Sequence, residues 1–169
     1  MYTIKISELK ETSILAASIA ESICKEERSN GKIIYLYGDL GSGKTTLVRY
    51  FLQSFGIVDN IKSPSFSIME QYYINEISFY HFDFYRFNHQ SEVLNIGLNE
   101  LKDKNTIMLI EWPEKAIGFL PKPDLEILLS CSEIGTDVER YATLSTQKNK
   151  EEKWLTNIIS AYKHVLAHT

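Results

Sequence analysis

The tightest constraint on this chain is a junction. The apolar run Lys32-Ile33-Ile34-Tyr35-Leu36-Tyr37 passes directly into Gly38-Asp39-Leu40-Gly41-Ser42-Gly43-Lys44-Thr45-Thr46, a G-x-x-x-x-G-K-T sequence placed after a strand. A loop that wraps a polyphosphate must offer many backbone N–H groups with no side chains in the way. Glycines at 38, 41 and 43 permit that approach. Beyond the loop, Leu47, Val48, Phe51, Leu52 and Phe55 recur with helical spacing between Lys44 and Phe55. The N-terminus of such a helix turns its free N–H groups and positive dipole end towards the phosphates. Lys44 is then placed to neutralise β- and γ-phosphates. The Thr45 hydroxyl is placed to ligate Mg²⁺, which takes near-octahedral oxygen ligands and keeps several waters. Strand, loop and helix in this order predict an α/β chain with the P-loop nucleotide-hydrolase fold.

The rest of the chain predicts a mixed parallel and antiparallel sheet flanked by helices. Thr3 to Ile6 alternate weakly as a short strand. Ser7 is a suitable N-cap for a helix burying Leu15, Ile19, Ile23 and Cys24, and Asn30-Gly31 suits its end. Phe66, Ile68, Tyr72 and Ile74 change the period to two, Asn75-Glu76 reads as a tight turn, and Ile77 to Tyr85 as the returning strand. Ser91 to Leu101 predicts short helical turns broken at Gly97. Thr106 to Ile110 is a continuous apolar run, the pattern of a buried central strand. Leu125, Ile127, Leu129 and Cys131 alternate, Gly135-Thr136-Asp137 marks a turn, and Arg140 to Thr146 alternates again as a second hairpin. Trp154, Leu155, Ile158, Ile159, Tyr162, Val165 and Leu166 form the stripe of a closing amphipathic helix.

With 169 residues the expectation is one domain over 1–169, able to bury about 70% of its extended surface in one core. The start lacks the apolar core of a signal peptide, and no window approaches the ~18 apolar residues of a membrane span, so a cytoplasmic compartment is expected. Cys24 and Cys131 match no metal or redox spacing and read as core thiols. His89, His164 and His168 have no ligand spacing, which argues against a zinc site. The net charge is −4, with Lys and Arg scattered among 22 acids. An autonomous nucleic-acid binder shows a basic stripe, so any role at nucleic acid should run through another protein.

Nucleotide hydrolysis needs more than a cradle: a carboxylate on the metal side, a γ-phosphate sensor and a group that orients water. Glu111 ends the apolar strand, where a metal-side acid sits beside the loop, although Asp is commoner there and a strand-end surface Glu is the plain alternative. Ser63 and Ser65 flank Pro64 where switch hydroxyls occur; Ser-Pro-Ser is also simply a turn. Asp83, between Phe82 and Phe84, shares a strand face with His81 and Tyr85. An acid there is unfavourable unless paired or solvated, so it serves the site or pairs with Arg86 or His81. His81 reads more readily as structural than catalytic.

Taken together, these stretches resemble the TsaE family, formerly YjeE, the bacterial ATPase of tRNA threonylcarbamoyladenosine biosynthesis. Thr12, the loop Gly38 to Thr46, Ser63-Pro64-Ser65-Phe66, His81 to Arg86 as H-x-D-x-Y-R, and Ile110-Glu111-Trp112-Pro113-Glu114 match its landmarks in order. The resemblance implies a small cytoplasmic Mg²⁺-dependent ATPase. It would work with the threonylcarbamoyl transferase and its inactive paralogue, TsaD-like and TsaB-like proteins, in modifying adenosine 37 of tRNA, and would not perform the transfer itself. It further implies contact with tRNA only through that complex and no membrane association. Thr45 and Glu111 would hold Mg²⁺. Gly41, Ser42, Gly43, Lys44, Thr45 and Thr46 would bind phosphate, and Thr12 and Arg140 would approach the nucleotide more peripherally, with Trp112 near the site. Lys44, Asp83 and Glu111 are the catalytic candidates. Ser42 stands where the family has Ala, and Ser65 where it has Thr, keeping the hydroxyl but losing a rotamer-restricting methyl.

Rival readings are a small-molecule kinase, a GTPase-like switch and a nucleotide-binding scaffold. Kinases clamp the transferring phosphoryl group with several arginines, and Arg28, Arg49, Arg86 and Arg140 are not clustered. Asn149-Lys150-Glu151-Glu152 is a near miss of the guanine-reading N-K-x-D, its last acid one methylene too long. The terminal helix and the Phe82/Phe84/Arg86 face are the two candidate docking surfaces.

Overall fold

Continuous apolar runs make strands that need cover on both faces, and here they fill the middle of one sheet. The computed structural model describes residues 1–25, 31–134, 137–147 and 152–168. Strands β1 (Tyr2–Lys5), β2 (Lys32–Tyr37), β3 (Met69–Ile74), β4 (Ile77–Asp83), β5 (Thr106–Glu111), β6 (Leu125–Ile134) and β7 (Asp137–Ser145) form a seven-stranded sheet in the order β1-β7-β6-β2-β5-β4-β3. The four inner strands β6, β2, β5 and β4 run parallel, while β1, β7 and β3 are antiparallel to their neighbours. This is the mixed sheet expected, with β5 buried at every position between β2 and β4.

The two faces are covered differently. Helices α1 (Leu9–Lys25), α2 (Lys44–Ser54) and α4 (Glu152–Ala167) share one core with Ile34, Leu36, Phe79, Ile107 and Leu109. On the other face Ile33, Tyr35, Phe82, Phe84, Met108 and Ile110 pack with Phe87, Val93, Leu98 and Ala116. Those last residues come from the segment after β4, the 3-10 turns Gln90–Ile96 and Pro113–Ala116, and the short helix α3 (Leu98–Leu101).

Several local expectations are corrected. Helix α1 begins at Leu9, one residue later than a Ser7 cap requires: the Ser7 Oγ accepts the Arg140 N–H at 3.3 Å, while the Glu8 N–H is satisfied by Glu11 Oε2 at 2.9 Å. The returning hairpin starts at Met69 rather than Phe66, because Ser65 to Ser67 form a turn and Ile68 sits at φ 68°, a left-handed conformation that opposes a β-branched side chain. Asn75 and Glu76 make the tight turn with φ of 50° and 63°. Cys24 and Cys131 are exposed free thiols, not core residues. Cys24 lies near the end of α1, and Cys131 lies beyond Leu125 to Leu128, the stretch over which β6 pairs with β2. Asp137 belongs to β7, and Asn30, Gly135, Thr136 and Asn149 to Glu151 lie outside the described residues.

The cores take up part of each candidate docking face. Phe82 and Phe84 are fully buried in the second core, and the terminal helix spends Trp154, Leu155, Ile158, Ile159 and Tyr162 on the first, leaving Val165 and Leu166 exposed. Among the described residues no helix is long and apolar enough to cross a membrane.

Candidate functional site

The loop leaves β2 at Gly38 and enters α2 at Gly43. A Cβ on Gly38 would stand 2.3 Å from the Leu129 carbonyl oxygen, so only glycine passes there. Gly43 precedes the first turn of α2 at φ 105°, which leaves the loop N–H groups and the helix N-terminus open together. Lys44 is 5% exposed. Its Nζ donates to the carbonyls of Gly38 and Asp39, at 2.5 and 2.9 Å, and lies 4.0 Å from the centre of the Trp112 ring. Burial lowers the Lys44 pKa, and Glu111, Glu114, Asp83 and Asp39 oppose that shift through their charges.

The carboxylates arrive from the sheet. Parallel register sets Asp83 on β4 beside Glu111 on β5, and His81 beside Leu109 one step earlier. Strand alternation places His81, Asp83 and Glu111 on the face covered by α2. Thr45 Oγ1, in the first turn of α2, reaches both Glu111 oxygens, 2.9 Å to Oε1 and 3.0 Å to Oε2. The same Oε1 is 2.8 Å from His81 Nε2. Asp83 accepts the Ser63 hydroxyl on Oδ2 and the Tyr85 N–H on Oδ1, the latter at 2.9 Å. It therefore pairs with neither Arg86 nor His81, the two partners weighed from the sequence. The stretch Ser63 to Ile68 is fastened again where the Asp83 N–H donates to the Ile68 carbonyl at 3.1 Å.

Two hollows meet at the loop. A cavity of about 390 Å³ is lined by Lys44, Thr45, Ser63, Ser65, Asp83 and Glu111, with Tyr85, Arg86 and Trp112 also on its wall. A smaller one of about 130 Å³, on the α1 side, is lined by Thr12, Ser42 and Arg140. Gly41, Gly43 and Thr46 line both. Thr12, the loop residues Gly41 to Thr46, Ser63, Ser65, Asp83, Glu111 and Arg140 therefore lie on one of two connected walls, while His81 stands behind them. What sequence reasoning missed is the bonding between them: the His81 to Glu111 contact, the Trp112 cover over Lys44, and Trp112 packing on Tyr85 with ring centres 5.0 Å apart. Trp112 does carry a signal in the sequence, its place in Ile110-Glu111-Trp112-Pro113-Glu114, and in the structure it sits at a left-handed φ of 58°, uncommon for a residue with a Cβ.

Parallel strands that deliver a glycine-rich turn to a helix N-terminus, with acids at the ends of the next two strands, define a P-loop-type α/β protein. The crystal structure of Bacillus subtilis YdiB shares this fold, with a TM-score of 0.71 over 94% of each chain at 24% identity. More particularly, the chain belongs to the TsaE family: the model described as "Threonylcarbamoyl adenosine biosynthesis protein TsaE" matches residues 6–140. The chain is 36% identical over 145 residues to the tRNA threonylcarbamoyladenosine biosynthesis protein TsaE of Haemophilus influenzae, covering 86% of this chain and 87% of that one. With the protein of the same name from Bacillus subtilis it is 32% identical over 150 residues, covering 89% and 87%.

Proposed function

We propose that this chain is an ATP-binding and ATP-hydrolysing subunit that supports formation of threonylcarbamoyladenosine in tRNA, acting with the transferase and its inactive paralogue. The observation that carries this reading is the meeting of Lys44, Thr45, Asp83 and Glu111 on one cavity wall. The loop N–H groups from Gly41 to Thr46 and the Lys44 ammonium would take the phosphates, and Lys44 would leave the Gly38 and Asp39 carbonyls to do so. The small hollow beside Thr12 and Arg140 would receive the nucleoside end.

The donor set suits Mg²⁺, since Thr45 and Glu111 already bring hard oxygens within about 3 Å of one another. Bound Mg²⁺ would neutralise charge on the β- and γ-phosphate oxygens. Asp83, fixed by Ser63 and the Tyr85 N–H, keeps lone pairs free to orient water, the catalytic part we assign to it. Glu111 holds the Thr45 hydroxyl and so couples the head of α2 to β5. Ser63 and Ser65 line the same cavity as Lys44 and Thr45, and they are the hydroxyls that would sense the γ-phosphate. A kinase would need an arginine clamp. Arg86 lines the larger cavity and Arg140 the smaller, while Arg49 Nε is spent on the Ile61 carbonyl at 3.1 Å. The acidic balance of the chain favours contact with tRNA through protein partners in a cytoplasmic complex.

The test is ATP hydrolysis by the purified chain, alone and with the transferase heterodimer. Stimulation by the heterodimer that disappears in Lys44→Ala supports the reading. Absence of both binding and stimulation overturns it and returns attention to small-molecule phosphoryl acceptors.

A further inference from the structure

His81 is fully buried, at 0% exposure, and its two ring nitrogens have opposite fates. Nε2 lies 2.8 Å from Glu111 Oε1, while Nδ1 is enclosed without a hydrogen-bond partner. A carboxylate oxygen accepts, so Nε2 is the nitrogen that donates. Kept for packing alone, this ring would be a poor choice: one nitrogen is stripped of water with nothing in return, and an apolar side chain would fill the space without that loss.

We propose that His81 is a positioning residue for Glu111. Its Nε2–H pins Oε1 and so fixes the plane of the carboxylate. Thr45 Oγ1 bridges the two oxygens, and Oε2, which His81 does not touch, is presented to a divalent cation that arrives with nucleotide. A carboxylate free to turn about its last torsion, which is broad and two-fold, would offer either oxygen at many angles. The arrangement is the carboxylate counterpart of the outer hydrogen bonds that orient metal ligands elsewhere. The register gives this placement: His81 lies one pleat below the Asp83 and Glu111 pair, close enough to hold one acid without lining the cavity itself.

The inference rests on the Mg²⁺-dependent nucleotide reading, and its test separates the two. Binding of a fluorescent ATP analogue to the full chain is titrated with Mg²⁺, and the half-saturating Mg²⁺ concentration is read. His81→Leu should raise it roughly 10-fold, leaving Mg²⁺-free binding of the analogue unchanged. His81→Gln, whose amide N–H can occupy the same place, should restore most of the difference. In a Glu111→Gln background His81→Leu should add nothing further. An unaltered half-saturation in His81→Leu, or an equal rise in the Glu111→Gln background, overturns the positioning role while the nucleotide reading stands. Wild-type chain that binds the analogue without regard to Mg²⁺ overturns both. If His81→Leu does not fold, nitrogen-15 spectra of the wild-type imidazole decide: a proton on Nε2 shared with Glu111 supports the proposal, and an unprotonated Nε2 overturns it.

Discussion

Strands β4 and β5 carry two different chemistries on their two faces. Towards α2 they present Phe79, His81 and Asp83, and Ile107, Leu109 and Glu111; towards the short helical turns they present Phe82 and Phe84, and Met108 and Ile110. The second face is apolar to its end, where Phe84 stacks on Phe87 with ring centres 4.7 Å apart. The first is apolar only as far as Phe79 and Leu109 and then turns polar at the ends of both strands. Aromatic packing on one face holds the strands in register, and register is what sets Asp83 beside Glu111 on the other. Stability and chemistry are thus divided by alternation along the same few residues.

That division can be broken from either side. The largest stability effect is expected from Phe82→Ala, which empties a fully buried site and should cost about 3–5 kcal/mol in urea denaturation. Lys44→Met attacks the other face. ATP hydrolysis should fall roughly 100-fold or more, comparable to losing one oxyanion donor. The ligand-free melting temperature should not fall, because burial already works against the Lys44 charge. A large loss of stability in this variant would show that the site is part of the structural core.

Smaller effects sharpen the contrast. Ser63→Ala removes one of the two donors to Asp83 and should cost about 1.5 kcal/mol in the same denaturation assay, with Ser63→Thr restoring it. Away from both, Tyr162 on α4 donates to the Lys5 carbonyl at 3.0 Å, and burial raises its phenol from 10.0 to about 12. The unfolded chain gives up that proton first, so the stability it contributes is intact below pH 10 and is lost as pH climbs towards 12. Tyr162→Phe should show a shallower alkaline loss in denaturation curves measured across that window.

Much of this was readable in the sequence, for reasons that differ by residue. The loop, α2 and β5 announce themselves because their signals are local: glycines at fixed offsets, a helical stripe, an unbroken apolar run. The Asn75-Glu76 turn is equally local. Contacts that depend on register are not. His81 to Glu111 and Ser63 to Asp83 exist because β4 lies parallel to β5 with one particular offset, and nothing within either segment states that offset. Loss of cover along an element is similarly hidden, since Cys24 near the end of α1 and Cys131 beyond the stretch of β6 that pairs with β2 continue apolar patterns and are nevertheless exposed. Ser7 could cap a helix by type; the partner it takes, the Arg140 N–H, comes from the far end of the chain.

The stretch from Ser63 to Ile68 closes on Asp83 at both ends, through the Ser63 hydroxyl and the Ile68 carbonyl. Chain and side chain together make a ring, and a ring cannot be lifted at one point without moving the rest. Phe66, at its crest, is 84% exposed and stands beneath the Arg86 guanidinium, 4.1 Å from the ring centre. An exposed aromatic and a buried carboxylate thus belong to one closed circuit of chain and hydrogen bonds, with the left-handed Ile68 as its last link.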